Sequence, residues 1–199
     1  MHMKKAAKLT CKNLVLKQKT ENTWDILLKK EEGIIGSIVC DEKPNEKYEV
    51  FVSISIEERY RKKQYGTEAL REMISWVFAN TEAYYMMAEI QAGNLPAHGL
   101  LTNLGFVSCG ETGHDTVRYE LERPVVKYML LYYLFGMSCG SCLGIANDNI
   151  ALGMLLGLVF GALIGIALDK NDKKKRDEIK ALRKEKEVEK NEVEKKEEE

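Results

Sequence analysis

Between Tyr128 and Leu168 the chain carries one charged residue, Asp148. No other stretch limits the fold as much. The two uncharged runs, 128–147 and 149–168, flank a polar turn, Asn147-Asp148-Asn149. As helices rising ~1.5 Å per residue, each spans about 28 Å, close to the ~30 Å hydrocarbon core of a bilayer. Helices that are apolar all round must lie in lipid or be covered by protein, and nothing else in the chain is suited to cover two of them. A transmembrane hairpin over 128–168 is expected, with helices at 128–146 and 150–168. Arg123 and Lys127 precede it; Lys170, Lys173, Lys174, Lys175 and Arg176 follow it, and its turn holds no positive charge. The positive-inside rule then predicts a two-pass protein of the cell membrane with both termini in the cytoplasm.

Glycines recur every four residues in both helices: Gly136, Gly140 and Gly144, then Gly153, Gly157, Gly161 and Gly165. Such a stripe lets helices approach closely in lipid, where packing drives association. It resembles a glycine zipper. Two arrangements satisfy it: a homo-oligomer joined through these seven glycines, or one hairpin packed on itself. No carboxylate lies between Ile150 and Leu168, which argues against a proton-carrying ring. Cys139-Gly140-Ser141-Cys142 has the spacing of a redox or metal motif but sits in an apolar helix with no nearby histidine. It reads as small-residue packing, and no metal site is expected.

Residues 169–199 hold 24 charges, 12 of each sign, basic first and acidic last. Glu/Lys pairs three or four apart support an exposed helix, but no coiled-coil seam is sustained, so the tail is expected to be helical or disordered. Its basic part suits anionic lipid headgroups. The net charge of −1 gives no case for nucleic acid. The five cysteines lack disulfide-framework spacing, and no signal peptide is evident at the start, which suits a reducing cytosolic setting for the first domain.

The first domain, 8–123, shows strand-like alternation at Asn13–Lys17, Thr23–Lys30, Gly33–Asp41 and Tyr48–Ile56, with turns at Glu31-Glu32-Gly33 and Lys43-Pro44-Asn45-Glu46. Helix Thr67–Asn80 places Leu70, Met73, Ile74, Val77 and Phe78 on one face. A strand at Tyr84–Gln91, a helix at Leu95–Leu104 and a hairpin from Phe106–Cys109 to Thr116–Leu121 complete it. Between the fourth strand and the first helix lies Arg61-Lys62-Lys63-Gln64-Tyr65-Gly66-Thr67. A basic, Gly-containing turn feeding a helix N-terminus is suited to hold phosphate, because the first N–H groups of a helix lack intrahelical partners and its dipole favours anions.

Two motifs make that reading more specific. Arg61 to Gly66 resembles the acyl-CoA pyrophosphate loop of the GNAT superfamily of N-acyltransferases, Arg/Gln-x-x-Gly-x-Gly/Ala, with Gln64 and Lys62 at positions where the family commonly has glycine. Asn94 to Phe106 resembles the family's Asn-x-x-Ala…Leu-Gly-Phe helix and turn. The likeness is closest to the branch that acetylates N-terminal amines of ribosomal proteins. It implies an α+β fold, a mixed and mostly antiparallel sheet flanked by helices, here followed by the hairpin and the charged tail. The order of elements read above leaves no room for the pair of helices that many relatives place between the first two strands and that usually help to wall the acceptor pocket, so an open acceptor side is expected.

The resemblance further implies acetyl-CoA as co-substrate. Its pyrophosphate would rest on backbone N–H groups of Lys62, Lys63, Gln64, Tyr65, Gly66 and Thr67, with Arg61 beside them. The pantetheine would follow the strand at Ile54 and Ile56, near Asn94. Glu49, Glu57 and Glu58 are the candidate general bases. Leu101 stands where many relatives have a tyrosine general acid. His98 reads as a surface or packing residue. Two functions stay open: a membrane-anchored N-acetyltransferase acting on a protein N-terminus, a lysine or a small-molecule amine, or a catalytically weak acyl-CoA-binding module that senses or scaffolds at the membrane, with the hairpin driving assembly.

Overall fold

Alternation of apolar and polar residues gives the N-terminal strands one buried and one polar face. A computed structural model describes residues 8–30, 33–42, 46, 48–111, 115–146 and 148–197. Of the predicted turns Glu31-Glu32-Gly33, Lys43-Pro44-Asn45-Glu46 and Gly110–Asp115, residues 31–32, 43–45 and 112–114 lie outside those residues, as does Asn147. The chain divides into two units, Met1–Arg123 and Pro124–Glu199.

The first unit is an eight-stranded sheet in the order β1-β2-β3-β4-β5-β6-β8-β7. The strands are β1 (Lys8–Thr10), β2 (Leu14–Gln18), β3 (Thr23–Leu28), β4 (Ile34–Asp41), β5 (Glu49–Ile56), β6 (Tyr85–Gln91), β7 (Val107–Glu111) and β8 (Thr116–Glu122). Every neighbouring pair is antiparallel except β5 and β6. That parallel pair needs a crossover, and helix α1 (Tyr65–Asn80) supplies it. Helix α2 (Leu95–Asn103) joins β6 to β7. The expected mixed, mostly antiparallel sheet with flanking helices is observed. β1 was not expected, because three residues are too short to show a period. Lys19–Asn22 alone connect β2 to β3, so no helices interrupt that hairpin.

One sheet face is buried. Leu14, Leu16, Trp24, Ile26, Ile38, Val50 and Val52 form a single core with Leu70, Met73 and Val77 of α1 and Leu101 of α2. Trp24 meets Trp76 of α1 edge-on, with ring centroids 5.0 Å apart. α2 ends in a Gly-dependent turn: Gly105 has φ +90°, and the Phe106 N–H reaches back to the Leu101 carbonyl at 3.1 Å. This is the positive-φ cap that stops a helix, and it places Phe106 in the core.

The second unit has two helices, α3 (Tyr128–Ala146) and α4 (Ile150–Glu197). Both are long and apolar enough to cross a membrane. Asp148 takes φ 52° in the turn, and Asn149 Oδ1 caps α4 by accepting from the Leu152 N–H at 3.1 Å. The seven glycines face the opposite helix of the same chain. A Cβ on Gly157 would overlap the Gly136 carbonyl, one on Gly140 the Gly153 carbonyl, and one on Gly161 the Tyr132 carbonyl. The glycines offered above for a homo-oligomer are therefore occupied within one hairpin. Large residues point outward instead; Phe135 and Phe160 are each 65% exposed. The Asp169 carboxylate caps α3, accepting from the N–H groups of Tyr128 at 2.7 Å and Met129 at 3.2 Å. Beyond it α4 continues through the charged segment, with Arg176 joined to Asp172 at 2.8 Å and to the Pro124 carbonyl at 3.0 Å.

Candidate active site

Arg59, Arg61, Lys62 and Lys63 follow β5 closely, and the structure gives them different tasks. Arg59 pairs with Glu57 at 2.9 Å and lies 4.8 Å from the Tyr60 ring centroid, with the Lys63 Nζ 5.6 Å from that ring. The Arg61 Nε donates to the Ile56 carbonyl at 3.0 Å, which folds the loop back on the end of β5.

Lys62 and Gln64 both have φ 61°. These are the two positions where the resemblance placed glycine. The loop keeps a backbone suited to glycine while carrying side chains that resist it. Left-handed geometry costs an L-residue about 1–2 kcal/mol. Gln64→Val should therefore lower stability by about 1–2 kcal/mol, because β-branching tolerates this geometry worst. Gln64→Gly should match or exceed the parent. Thermal melting of the detergent-solubilised chain reads the order; a valine variant more stable than the glycine variant would contradict it.

Gln64 is the N-cap of α1, and its side chain makes no cap bond. α1 starts at Tyr65, two residues before the predicted start, because the left-handed Gln64 ends the loop there. The Glu68 N–H bonds the Gln64 carbonyl at 3.0 Å, so the N–H groups of Tyr65, Gly66 and Thr67 precede the first intrahelical bond. The one acidic side chain of this turn, Glu68, is held by Asn13, at 2.5 Å from its N–H and 2.9 Å from its Nδ2. The helix end thus offers donors, with its carboxylate already engaged. Gly66 lies close under α2 and β5: a Cβ there would be 3.0 Å from the Leu100 Cδ1 and 3.9 Å from side-chain atoms of Ile54 and Ile56.

β5 and β6 pair only from Glu49↔Tyr85 to Phe51↔Met87. Past that point β5 runs on to Ile56 without this partner. The Glu57 N–H donates to Ile35 of β4 at 2.9 Å. N–H direction alternates along a strand, so the N–H groups of Ile54 and Ile56 face the edge that β6 has left. That edge can receive an extended amide-bearing ligand and offer a donor to a carbonyl.

The three carboxylates do not converge. Glu49 starts β5, while Glu57 and Glu58 follow its end. Seven residues at ~3.3 Å each put Glu49 about 23 Å from Ile56. Glu57 is tied to Arg59, and Glu58 is exposed. Glu49 shares with Phe51, Ser53 and Ser55 the face opposite α1, beside the last β5–β6 pairs. Sequence reasoning missed the Glu89–Arg118 ion pair, at 2.7 Å, whose guanidinium lies 6.0 Å from the Phe51 ring centroid where the two strands part. Only the register of β6 against β8 brings that pair together.

Asn94 caps α2, its Oδ1 accepting from the Ala97 N–H at 3.3 Å. Leu101 is buried in the core, and its hydrocarbon side chain supplies no hydroxyl at this position. Burial, with smaller contributions from Glu72 and Glu68, pushes the Cys11 thiol up to about 11, and burial pushes Cys40 up to about 12. Both stay protonated at neutral pH and are poor nucleophiles.

Residues 3–107 match the model of the acetyltransferase (GNAT) domain. The fold is similar to the GNAT-family acetyltransferase of Bacillus anthracis, at 14% identity and a TM-score of 0.51, covering 58% of this chain and 98% of that one. It is likewise similar to the acetyltransferase of Agrobacterium tumefaciens, at 11% identity and a TM-score of 0.52, covering 60% and 96%. No curated protein matches the sequence significantly. That family model spans more than half of the chain, so the chain belongs to the GNAT acetyltransferases, enzymes that take acetyl-CoA as co-substrate and transfer its acetyl group to an amine.

Proposed function

We propose that this chain is a membrane-anchored N-acetyltransferase that modifies primary amines on the cytoplasmic side. The observation that carries the reading is the loop from Arg61 to Thr67. Its two left-handed residues and the start of α1, which has no side-chain cap, leave backbone N–H groups suited to an anion, and the same chain continues into two apolar helices. In this reading the pyrophosphate rests on N–H groups from Lys62 to Thr67, and the pantetheine follows the open edge at Ile54 and Ile56. An N–H of that edge polarises the thioester carbonyl; donors of this kind contribute about 3–4 kcal/mol in other acyl transfers.

The deprotonated amine attacks the carbonyl carbon, the C–S bond breaks, and CoA leaves as thiolate. Glu49, on the face away from α1 where the strands meet, is the preferred base; about 17 Å of strand separates it from Ile54, so a chain of water carries the proton to it. With Leu101 buried, the thiolate takes its proton from solvent. In this reading the hairpin's outward apolar residues face lipid, and the positive-inside rule favours a cytoplasmic side for both ends. The acceptors favoured are protein N-termini or lysines, on the strength of the sequence likeness to the ribosomal-protein branch.

Leu101 and Gln64 favour a second reading, an acyl-CoA-binding scaffold with little turnover. Release of free CoA thiol from acetyl-CoA, with vesicle-reconstituted protein and mixed peptide and small amines, separates the two. Turnover that depends on amine is expected. Acetyl-CoA binding by calorimetry without turnover would establish the scaffold instead.

A further inference from the structure

α2 is thinly anchored, since Leu101 alone of its residues is buried. Yet it borders the loop, with Leu100 against the first turn of α1. Its polar attachment is His98. The imidazole Nδ1 lies 2.7 Å from the Tyr119 hydroxyl of β8, and Nε2 lies 3.0 Å from the carbonyl of Ala92, the residue after β6. The two rings meet edge-on, with centroids 5.5 Å apart. A carbonyl only accepts, so Nε2 carries the hydrogen, and in the neutral ring Tyr119 donates to Nδ1. Tyr119 is 7% exposed and lies opposite Ala88. Ala88 is one residue past Met87, where the β5–β6 ladder ends. One side chain therefore ties α2 to β8 and to the end of β6, at the level where the strands open.

We propose that His98 is a positioning residue that clamps α2 as a wall of the acyl-CoA slot and thereby sets the affinity for acetyl-CoA. This rests on the slot reading above. The clamp holds the wall without touching the reacting atoms, so its loss weakens binding and spares the chemical step. Leu101 cannot replace it, because apolar packing lets a helix slide where two directed hydrogen bonds do not.

The test is steady-state kinetics of the full-length chain in vesicles, with acetyl-CoA varied. His98→Ala is expected to raise KM for acetyl-CoA about fivefold to tenfold, the usual worth of one or two hydrogen bonds, with kcat within about twofold. His98→Gln, which keeps a donor and an acceptor, should recover most of the loss. Tyr119→Phe, which keeps the ring and so the packing, should raise KM about threefold, and it carries the test if His98→Ala fails to fold. The imidazole ¹⁵N spectrum should show the Nε2–H form in the parent chain. An unchanged KM in both variants, or a fall in kcat at constant KM, overturns the clamp. Should Gly66→Trp also leave acetyl-CoA binding intact, the slot itself is misplaced; should it abolish binding while His98→Ala has no effect, the clamp alone fails.

Discussion

Gly66→Trp is expected to weaken acetyl-CoA binding, raising Kd by about 100-fold or more, equivalent to roughly 2.8 kcal/mol. The expected size follows from the packing. Even a Cβ at this position would stand 3.0 Å from the Leu100 Cδ1, with Ile54 and Ile56 close behind. An indole has to leave that contact and fill the space over the first N–H groups of α1, where the phosphates would lie. The fold should survive, since α1 is anchored by Leu70, Met73 and Val77 farther along. Arg61→Ala is the milder companion. It removes a cation, and it also frees the Ile56 carbonyl that the Arg61 Nε holds at 3.0 Å, so a loss of about tenfold is expected, steeper at low salt. Calorimetry checks both, with melting curves to confirm folding. Unchanged binding in Gly66→Trp would remove the loop from the acyl-CoA site.

The second large effect is expected in the hairpin. Gly157→Leu forces α3 and α4 apart, because even its Cβ would overlap the Gly136 carbonyl and lie 2.8 Å from the Gly140 Cα. Overpacking a core costs about 1–3 kcal/mol; backbone against backbone has no flexible atom to yield, so a loss of about 3 kcal/mol is expected. Protease resistance of the detergent-solubilised hairpin should fall, while Phe160→Leu, on the exposed outer side, should change it little. Native gel size should stay constant for both. A drop from a larger assembly to a monomer in Gly157→Leu would show that the glycines join separate chains.

The strands and the face of α1 were legible because alternation and helical spacing are properties of neighbouring residues. The loop was legible because Arg61 and Gly66 keep their spacing. Its geometry was not: nothing about lysine or glutamine announces φ 61° at Lys62 and Gln64. The interactions that fix α2 and α3 were hidden for a different reason. His98 meets Tyr119 across 21 residues and Asp169 caps Tyr128 across 41, so sequence distance gave no sign of either. The glycine period was plain, but its partner was not, since the same stripe serves one hairpin or two chains. Glu57 looked available until the structure paired it with Arg59.

α4 does not stop where its apolar run stops. From Asp169 to Glu197 the helix rises about 43 Å at ~1.5 Å per residue. Charges interact strongly only within a Debye length, ~8 Å at physiological salt. Lys170, Lys173 and Lys174 lie within about that distance of the apolar boundary, whereas Glu187 and Glu189 lie about 27–30 Å away. A flexible tail of the same composition could fold back and neutralise its own lysines; a continuous helix cannot. It acts as a spacer, holding Glu187 and Glu189 beyond the electrostatic reach of the lysines at the apolar boundary.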